Sequence, residues 1–259
     1  MRSNGTKRKL AEGGVAVGTM VFEFGTTGIA RIAAAAGAEF VLFDTEHTGW
    51  TTETLRVVLA TAGAAETVPL VRVPTSQYHL LSGALDLGAM GIMVPMVESE
   101  EQARSIARWT KYPPAGARGA AFGVAHDDYV GGDVGAKMRS ANDETMVIAQ
   151  IETVAGLDAV EAIAGVDGID VVWVGQFDLT ASLGIPGQFT HPDYHATLKR
   201  VVAAADRHGK AAGFMATSVE EGRAVLAAGF RALAYSGDLW IYGKALGEGI
   251  AALRARERG

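Results

Sequence analysis

The sequence contains no cysteine, which excludes disulfides, thiolate metal sites and cysteine nucleophiles together. Any metal must therefore rest on oxygen or imidazole. Positive charge is also short: 23 Lys and Arg stand against 29 Asp and Glu, a formal net charge of -6. With the basic residues scattered, no electrostatic footprint for nucleic acid is left, and none is expected as a partner. Long apolar runs are missing too. No segment gives 18 uninterrupted apolar residues, and the opening MRSNGTKRKLAEGG has positive charges with no apolar stretch behind them. The expectation is a cytoplasmic protein with no membrane partner. Proline is scarce, and no Gly/Pro/Ser-rich linker or low-complexity tract divides the chain.

What is present is a repeated alternation. Short apolar runs read as strands at Val15–Val21, Phe40–Phe43, Pro69–Val73, Gly91–Val94, Met146–Gln150, Val171–Val174, Ala211–Phe214 and Ala232–Tyr235. Between them lie expected helices at Thr27–Ala36, Thr52–Ala62, His79–Leu87, Glu100–Ala107, Gly156–Ala164, Pro192–His208 and Val219–Ala228. Several open on Ser, Thr or Pro and close at Gly, which is helix start and stop chemistry. Strict alternation implies right-handed parallel crossovers, and eight units close a barrel. The expected fold is α/β, a single (β/α)8 TIM barrel over residues 1–259. One stretch, Lys111 to about Val134, is too long for an ordinary connection; within it His126-Asp127-Asp128 reads as a solvated loop rather than a second metal site.

In a barrel of this kind catalytic groups sit at the C-terminal ends of the strands. Asp44, Glu46 and His47 follow the second run in FVLFDTEHTGW, and Arg72 lies near the end of the third. Glu152 follows the fifth run, Gln176 and Asp178 the sixth, and Ser236 and Asp238 the eighth. Each alone has a bland reading: Glu152 can open a helix and Asp178 can serve a turn. Arg72 is harder to dismiss, because an apolar strand rarely carries a guanidinium without an anionic partner.

Two carboxylates without a thiol suit a hard divalent ion such as Mg²⁺ or Mn²⁺, with positions left for water and substrate. A 2-oxo acid is a natural guest, since its carboxylate and keto oxygens can both bind the ion, which then polarises the ketone. Arg72 would supply fixed positive charge where an enolate oxygen develops. His47 would serve as general base or as its water-activating partner. The rival Schiff-base chemistry needs a lysine at a strand end, and Lys7, Lys9, Lys111, Lys137, Lys199, Lys210 and Lys244 offer none.

Six segments in register, FVLFDTEHTGW, PLVRVP, ALDLGAMGIMVPMVESEEQA, KYPPAGARG, IAQIET and VGQFDLTASLG, resemble the HpcH/HpaI family of metal-dependent pyruvate aldolases from about Gly13 to Leu246. The resemblance implies reversible cleavage of 4-hydroxy-2-oxo acids to pyruvate and an aldehyde. It implies a divalent metal (Mg²⁺, Mn²⁺ or Co²⁺) and no organic cofactor. It also implies a homo-oligomer, commonly a hexamer built as a trimer of dimers, with the C-terminal helix exchanged between paired subunits. Carried over by motif, Glu152 and Asp178 are the metal ligands, Arg72 binds the pyruvyl oxygen and His47 is the base acting through water. Asp86 supports His47 from a neighbouring subunit, Gln150 holds the water network, and the N–H groups of Phe177 and Asp178 meet the pyruvate carboxylate. Where relatives usually carry G-P-x-D-L, this chain has Gly175-Gln176-Phe177-Asp178-Leu179, for which a larger, more polar wall is expected. Met20 in GTMVFEF replaces a common tryptophan and is expected to alter the aldehyde side, with Met215 as a further contact. Two other outcomes stay open. One is oxaloacetate decarboxylation or another carbon–carbon bond-forming step through the same enolate, and the other, weaker one is a non-catalytic oxo-acid-binding protein.

Overall fold

In a computed structural model, which describes residues 2–255, eight parallel strands close a barrel in sequence order. They are β1 (Ala16–Val21), β2 (Phe40–Asp44), β3 (Val68–Arg72), β4 (Gly91–Val94), β5 (Met146–Ile151), β6 (Val171–Val174), β7 (Ala211–Ala216) and β8 (Ala232–Gly237). Each matches an expected run to within two residues at either end. The helices at Thr52–Ala62, Pro192–Arg207 and Val219–Ala227 fall close to where their patterns put them. Thr51, Ser99 and Ser218 accept backbone N–H bonds at the starts of three helices, the capping role those residue types predict.

Several expectations need correction. The stretch Gly156–Ala164 is two short helices, Val154–Asp158 and Val160–Ala164. Helices at Val134–Glu144 and Gln176–Ser182 were not anticipated. His126 and Asp127 are not solvated. Both are buried, and the Asp127 carboxylate accepts the N–H groups of Gly123 and Val124 and pairs with Lys137 at 2.5 Å. That carboxylate is fully committed to holding a turn.

The strands are buried on both sides, and their period of two sorts side chains into two shells. Val41, Phe43, Val71 and Ile92 pack under the helices. Phe40, Leu42, Leu70, Met93, Met146, Ile148 and Trp173 fill the lumen. Gly213 has no side chain because the Trp173 ring takes its place: a Cβ there would stand 2.1 Å from the ring. The lumen is therefore closed below, with Trp173 as the floor of whatever opens above it.

The helix Asp238–Ala255 departs from this scheme. Of its side chains only Asp238 is buried, while Trp240, Ile241, Tyr242, Leu246, Ile250 and Leu253 are exposed. No helix among the described residues is long and apolar enough to cross a membrane.

Candidate active site

Counting by two along the lumen-facing series predicts what stands at the top. Phe40 and Leu42 lead to Asp44; Leu70 leads to Arg72; Met146 and Ile148 lead to Gln150 and then Glu152. Asp44 and Arg72 are register partners across β2 and β3. This explains their buried pair: Arg72 Nε donates to Asp44 Oδ1 at 2.6 Å, with Asp44 fully buried and Arg72 nearly so. Asp44 does more than neutralise the charge. Its carboxylate also accepts the N–H groups of Glu46 (3.1 Å) and His47 (3.0 Å), so one side chain orients the arginine and bends the chain that presents the histidine.

Only Nε of the guanidinium is taken up by Asp44. Among the described residues its Nη groups form no hydrogen bond, and Arg72 lines a cavity of about 720 Å³ at the strand ends. His47, Gln150, Phe177, Asp178, Met20 and Met215 line the same cavity. Six predicted residues are thus brought together with Arg72. Ser236, one residue before the end of β8, has a left-handed φ of 51°, is buried and does not line the cavity. Asp86 is not brought there by its own chain. It ends the helix Tyr78–Asp86, just before β4 begins, and pairs with Arg118 at 2.6 Å.

Glu152 sits behind the cavity wall, 2% exposed. Its two oxygens accept the Met96 N–H (2.6 Å) and the Gln150 amide (2.5 Å). Burial pushes its pKa up to about 7; the Met96 N–H opposes this, and the charges of Glu46 and Asp178 reinforce it. Burial likewise raises Glu46 to about 7, opposed by Arg72 and reinforced by Asp44 and Asp178. Glu46 Oε2 lies 3.3 Å from Arg72 Nε and 3.7 Å from His47 Nε2, yet forms no hydrogen bond. The buried Gln150 Oε1 is also without a partner. The site is crowded with acceptors and short of positive charge. Among the described residues no three His, Asp or Glu side chains stand as a ready-made metal cluster, so an ion held here draws on few protein oxygens.

Three features were outside the reach of motif reading. Gly175 leaves room for the site: a Cβ there would stand 2.3 Å from Glu152 Oε2 and 2.6 Å from Gln150 Nε2. Met96 adopts a left-handed φ of 52°, costly for a residue with a side chain. That conformation accompanies the N–H bond to Glu152, and Gln102 braces the loop by donating to Met96 O at 3.0 Å. Asp238 accepts the N–H groups of Phe22, Glu23 and Phe24 at 2.6 to 3.0 Å, tying the end of β8 to the loop after β1. The expected polar residue at Gln176 does stand in the cavity wall. Gln176 is buried, and its amide nitrogen donates to Met215 O at 3.0 Å.

Among the described residues no lysine lines the cavity, where a Schiff base would need one. Burial, with the neighbouring Lys7 charge second, lowers the Lys111 pKa to about 7. Its ammonium, however, is held by Asn142 O and Thr145 O, just before β5 begins and so at the opposite end of the barrel.

Comparison with known proteins gives the same reading. Residues 19–242 match the HpcH/HpaI aldolase/citrate lyase family. A 2-keto-3-deoxy-L-rhamnonate aldolase of Klebsiella pneumoniae is 35% identical over 98% of this chain and 94% of its own. A hydroxypyruvate/pyruvate aldolase of Roseobacter denitrificans is 35% identical over 91% of each. The crystal structure of an HpcH/HpaI aldolase from Desulfitobacterium hafniense superposes with a TM-score of 0.91 at 32% identity, over 96% of each chain. The chain belongs to the HpcH/HpaI aldolase/citrate lyase family, a family of carbon–carbon lyases.

Proposed function

We propose that the chain is a class II pyruvate aldolase that reversibly cleaves 4-hydroxy-2-oxo acids to pyruvate and an aldehyde. The observation that carries this is the convergence at the strand ends of one oriented guanidinium with free Nη donors, facing a cavity that His47 and Asp178 also line, with Glu46 and Glu152, both raised to about 7 by burial first and neighbouring carboxylates second, close to it.

The residues fit a divalent cation. Glu152 and Asp178 would hold it, because burial first, and the neighbouring Glu46 and Asp178 charges second, raise Glu152, and Gln150 Oε1 is left unpartnered. When bound, such an ion supplies Lewis-acid polarisation of the keto group. Arg72 donates from Nη to the same keto oxygen as negative charge develops there, and Asp44 keeps it from swinging away. His47, exposed at the rim, takes the proton of the 4-hydroxyl through a water as the C3–C4 bond breaks. Glu46, 3.7 Å from Nε2, stabilises the imidazolium so formed. The N–H groups of Phe177 and Asp178, in the first turn of Gln176–Ser182, meet the pyruvate carboxylate.

The assembly reading is part of this proposal. The exposed apolar side chains of Asp238–Ala255 support exchange of that helix with a second copy, and the distance of Asp86 from its own cavity supports delivery by a neighbour within a hexamer. Light scattering that returned a monomer would contradict it.

The test is pyruvate release from a panel of 4-hydroxy-2-oxo acids by chelator-stripped protein, with and without Mg²⁺, Mn²⁺ or Co²⁺. Release restored by metal is expected. Equal release without metal would overturn the reading.

A further inference from the structure

Glu152 is held at both oxygens: the Gln150 amide donates to Oε2 and the Met96 N–H to Oε1. The first partner comes from the same strand. The second comes from the loop after β4, so the placing of Oε1 depends on how that loop is held. Two contacts fasten the loop to the end of β5. The Val97 N–H donates to Gln150 O at 3.1 Å, and the fully buried Val97 runs so close to Gly156 that a Cβ there would stand 2.5 Å from Val97 O. Neither contact turns the Met96 N–H toward Glu152. That direction goes with the left-handed φ of 52°, which a residue with a Cβ keeps only where its surroundings fix it.

The stretch Ser99-Glu100-Glu101-Gln102 has the pattern of a capping box, in which the fourth side chain returns to the N–H of the capping residue itself. Half of that box forms: Ser99 Oγ accepts the Gln102 N–H at 3.1 Å and opens the helix Glu100–Thr110. The other half is displaced. Gln102 Oε1 reaches past Ser99 to accept the Glu98 N–H at 2.9 Å, and Nε2 donates to Met96 O at 3.0 Å. A carbonyl only accepts and an N–H only donates, so this pair of partners fixes which way round the amide stands. One side chain therefore spans the loop from Met96 to Glu98 and supplies the restraint that the left-handed residue needs. All of these bonds lie within the one chain.

Resting on the reading of Glu152 as a ligand of a divalent cation, we infer that Gln102 is a positioning residue for that ligand. By holding Met96 in its left-handed conformation it keeps the Met96 N–H on Oε1, which orients the carboxylate and leaves its remaining lone pairs to the cation. A partner of this kind acts on metal affinity, because a carboxylate already oriented has less freedom to lose when the ion binds.

The experiment measures Mn²⁺ binding to the chelator-stripped full-length protein by calorimetry, with a urea unfolding curve for each variant. Gln102→Ala should raise the Mn²⁺ Kd about tenfold. Gln102→Glu separates positioning from capping: it keeps an acceptor for the Glu98 N–H but has no donor for Met96 O. It should also raise Kd about tenfold, although its added charge alone would favour a cation. Ser99→Ala removes the cap and leaves the Gln102 amide in place; it should lower the urea midpoint and keep the Mn²⁺ Kd within about twofold of the parent. An unchanged Kd in both Gln102 variants, or an equal rise in Ser99→Ala, would overturn the positioning role and leave Glu152 as a ligand. No Mn²⁺ binding to the parent, or binding that Glu152→Gln does not weaken, would overturn the ligand reading and this inference together.

Discussion

The two ends of the barrel both carry buried charged groups and treat them differently. Where the strands begin, most polar groups find partners within the chain, although the buried Thr67 hydroxyl and Arg118 Nε are left without one. Asn4, fully buried, donates to Met90 O and Glu144 O and accepts the Lys7 N–H. Lys7 and Lys111 both donate to Thr145 O, and Arg231 donates to Leu10 O and Lys210 O. Where the strands end, Glu46 Oε2 and Gln150 Oε1 are buried without partners, and two carboxylates are pushed to about 7. One end settles most of its polar groups with backbone carbonyls. The other leaves two buried acceptors unpartnered beside a cavity, as functional sites do more often than structural ends.

The comparison breaks most visibly at Glu152. Replacing it with Gln should lower metal-dependent pyruvate release by at least on the order of 10³-fold. The same variant should unfold at an equal or higher denaturant midpoint, because a crowded buried charge is removed. Inactivity together with a large loss of stability would place Glu152 among the structural groups instead.

Arg72 belongs to both kinds of region, pairing like a structural group and facing the cavity like a chemical one. Arg72→Met should reduce kcat by about 10²–10³-fold. It should also destabilise the fold by roughly 3–5 kcal/mol, because Asp44 is left buried and unpaired. The double variant Arg72→Met with Asp44→Asn should recover much of the stability and none of the turnover, as read by urea unfolding beside the kinetic assay.

At the other end the ranking reverses. Asn4→Ala removes three hydrogen bonds from a buried side chain and should cost about 1–3 kcal/mol with kcat unchanged. Lys111 supplies a pH test. Its folded-state pKa lies near 7, well below its ordinary 10.5, so between those values the unfolded chain binds more protons than the folded one. The penalty for holding the ammonium is full below pH 7 and is relieved as pH rises toward 10.5. The unfolding free energy of the parent relative to Lys111→Met should therefore increase across that window; a constant difference would show that Lys111 keeps its ordinary affinity for the proton.

The architecture and much of the site were legible in the sequence for a local reason. Apolar runs mark strands that are buried on both faces, and a charge at the end of such a run, as at Asp44, Arg72 and Glu152, announces the rim. What stayed hidden depends on contacts distant in the chain. The Asp238 clamp on the β1 loop spans more than 210 residues, and the Met96 N–H reaches Glu152 across 56. No residue type at those positions signals such a partner. At Gln176 the polarity of the wall was plain, but not that its amide nitrogen would donate to Met215 O. The helices Val134–Glu144 and Gln176–Ser182 were obscured by Gly-rich and irregular flanks. His126 and Asp127, in a polar stretch, gave no hint that Asp127 would pair with Lys137 and that His126 would pack against Tyr112 and Phe122.

The most direct measurement titrates Mg²⁺ or Mn²⁺ into chelator-stripped protein while following heat of binding and pyruvate release on the same sample. The account predicts one site per chain, a shared midpoint for binding and activity, and loss of both in Glu152→Gln and in Asp178→Asn. Full pyruvate release before any metal is added, or undiminished binding in both variants, would contradict it.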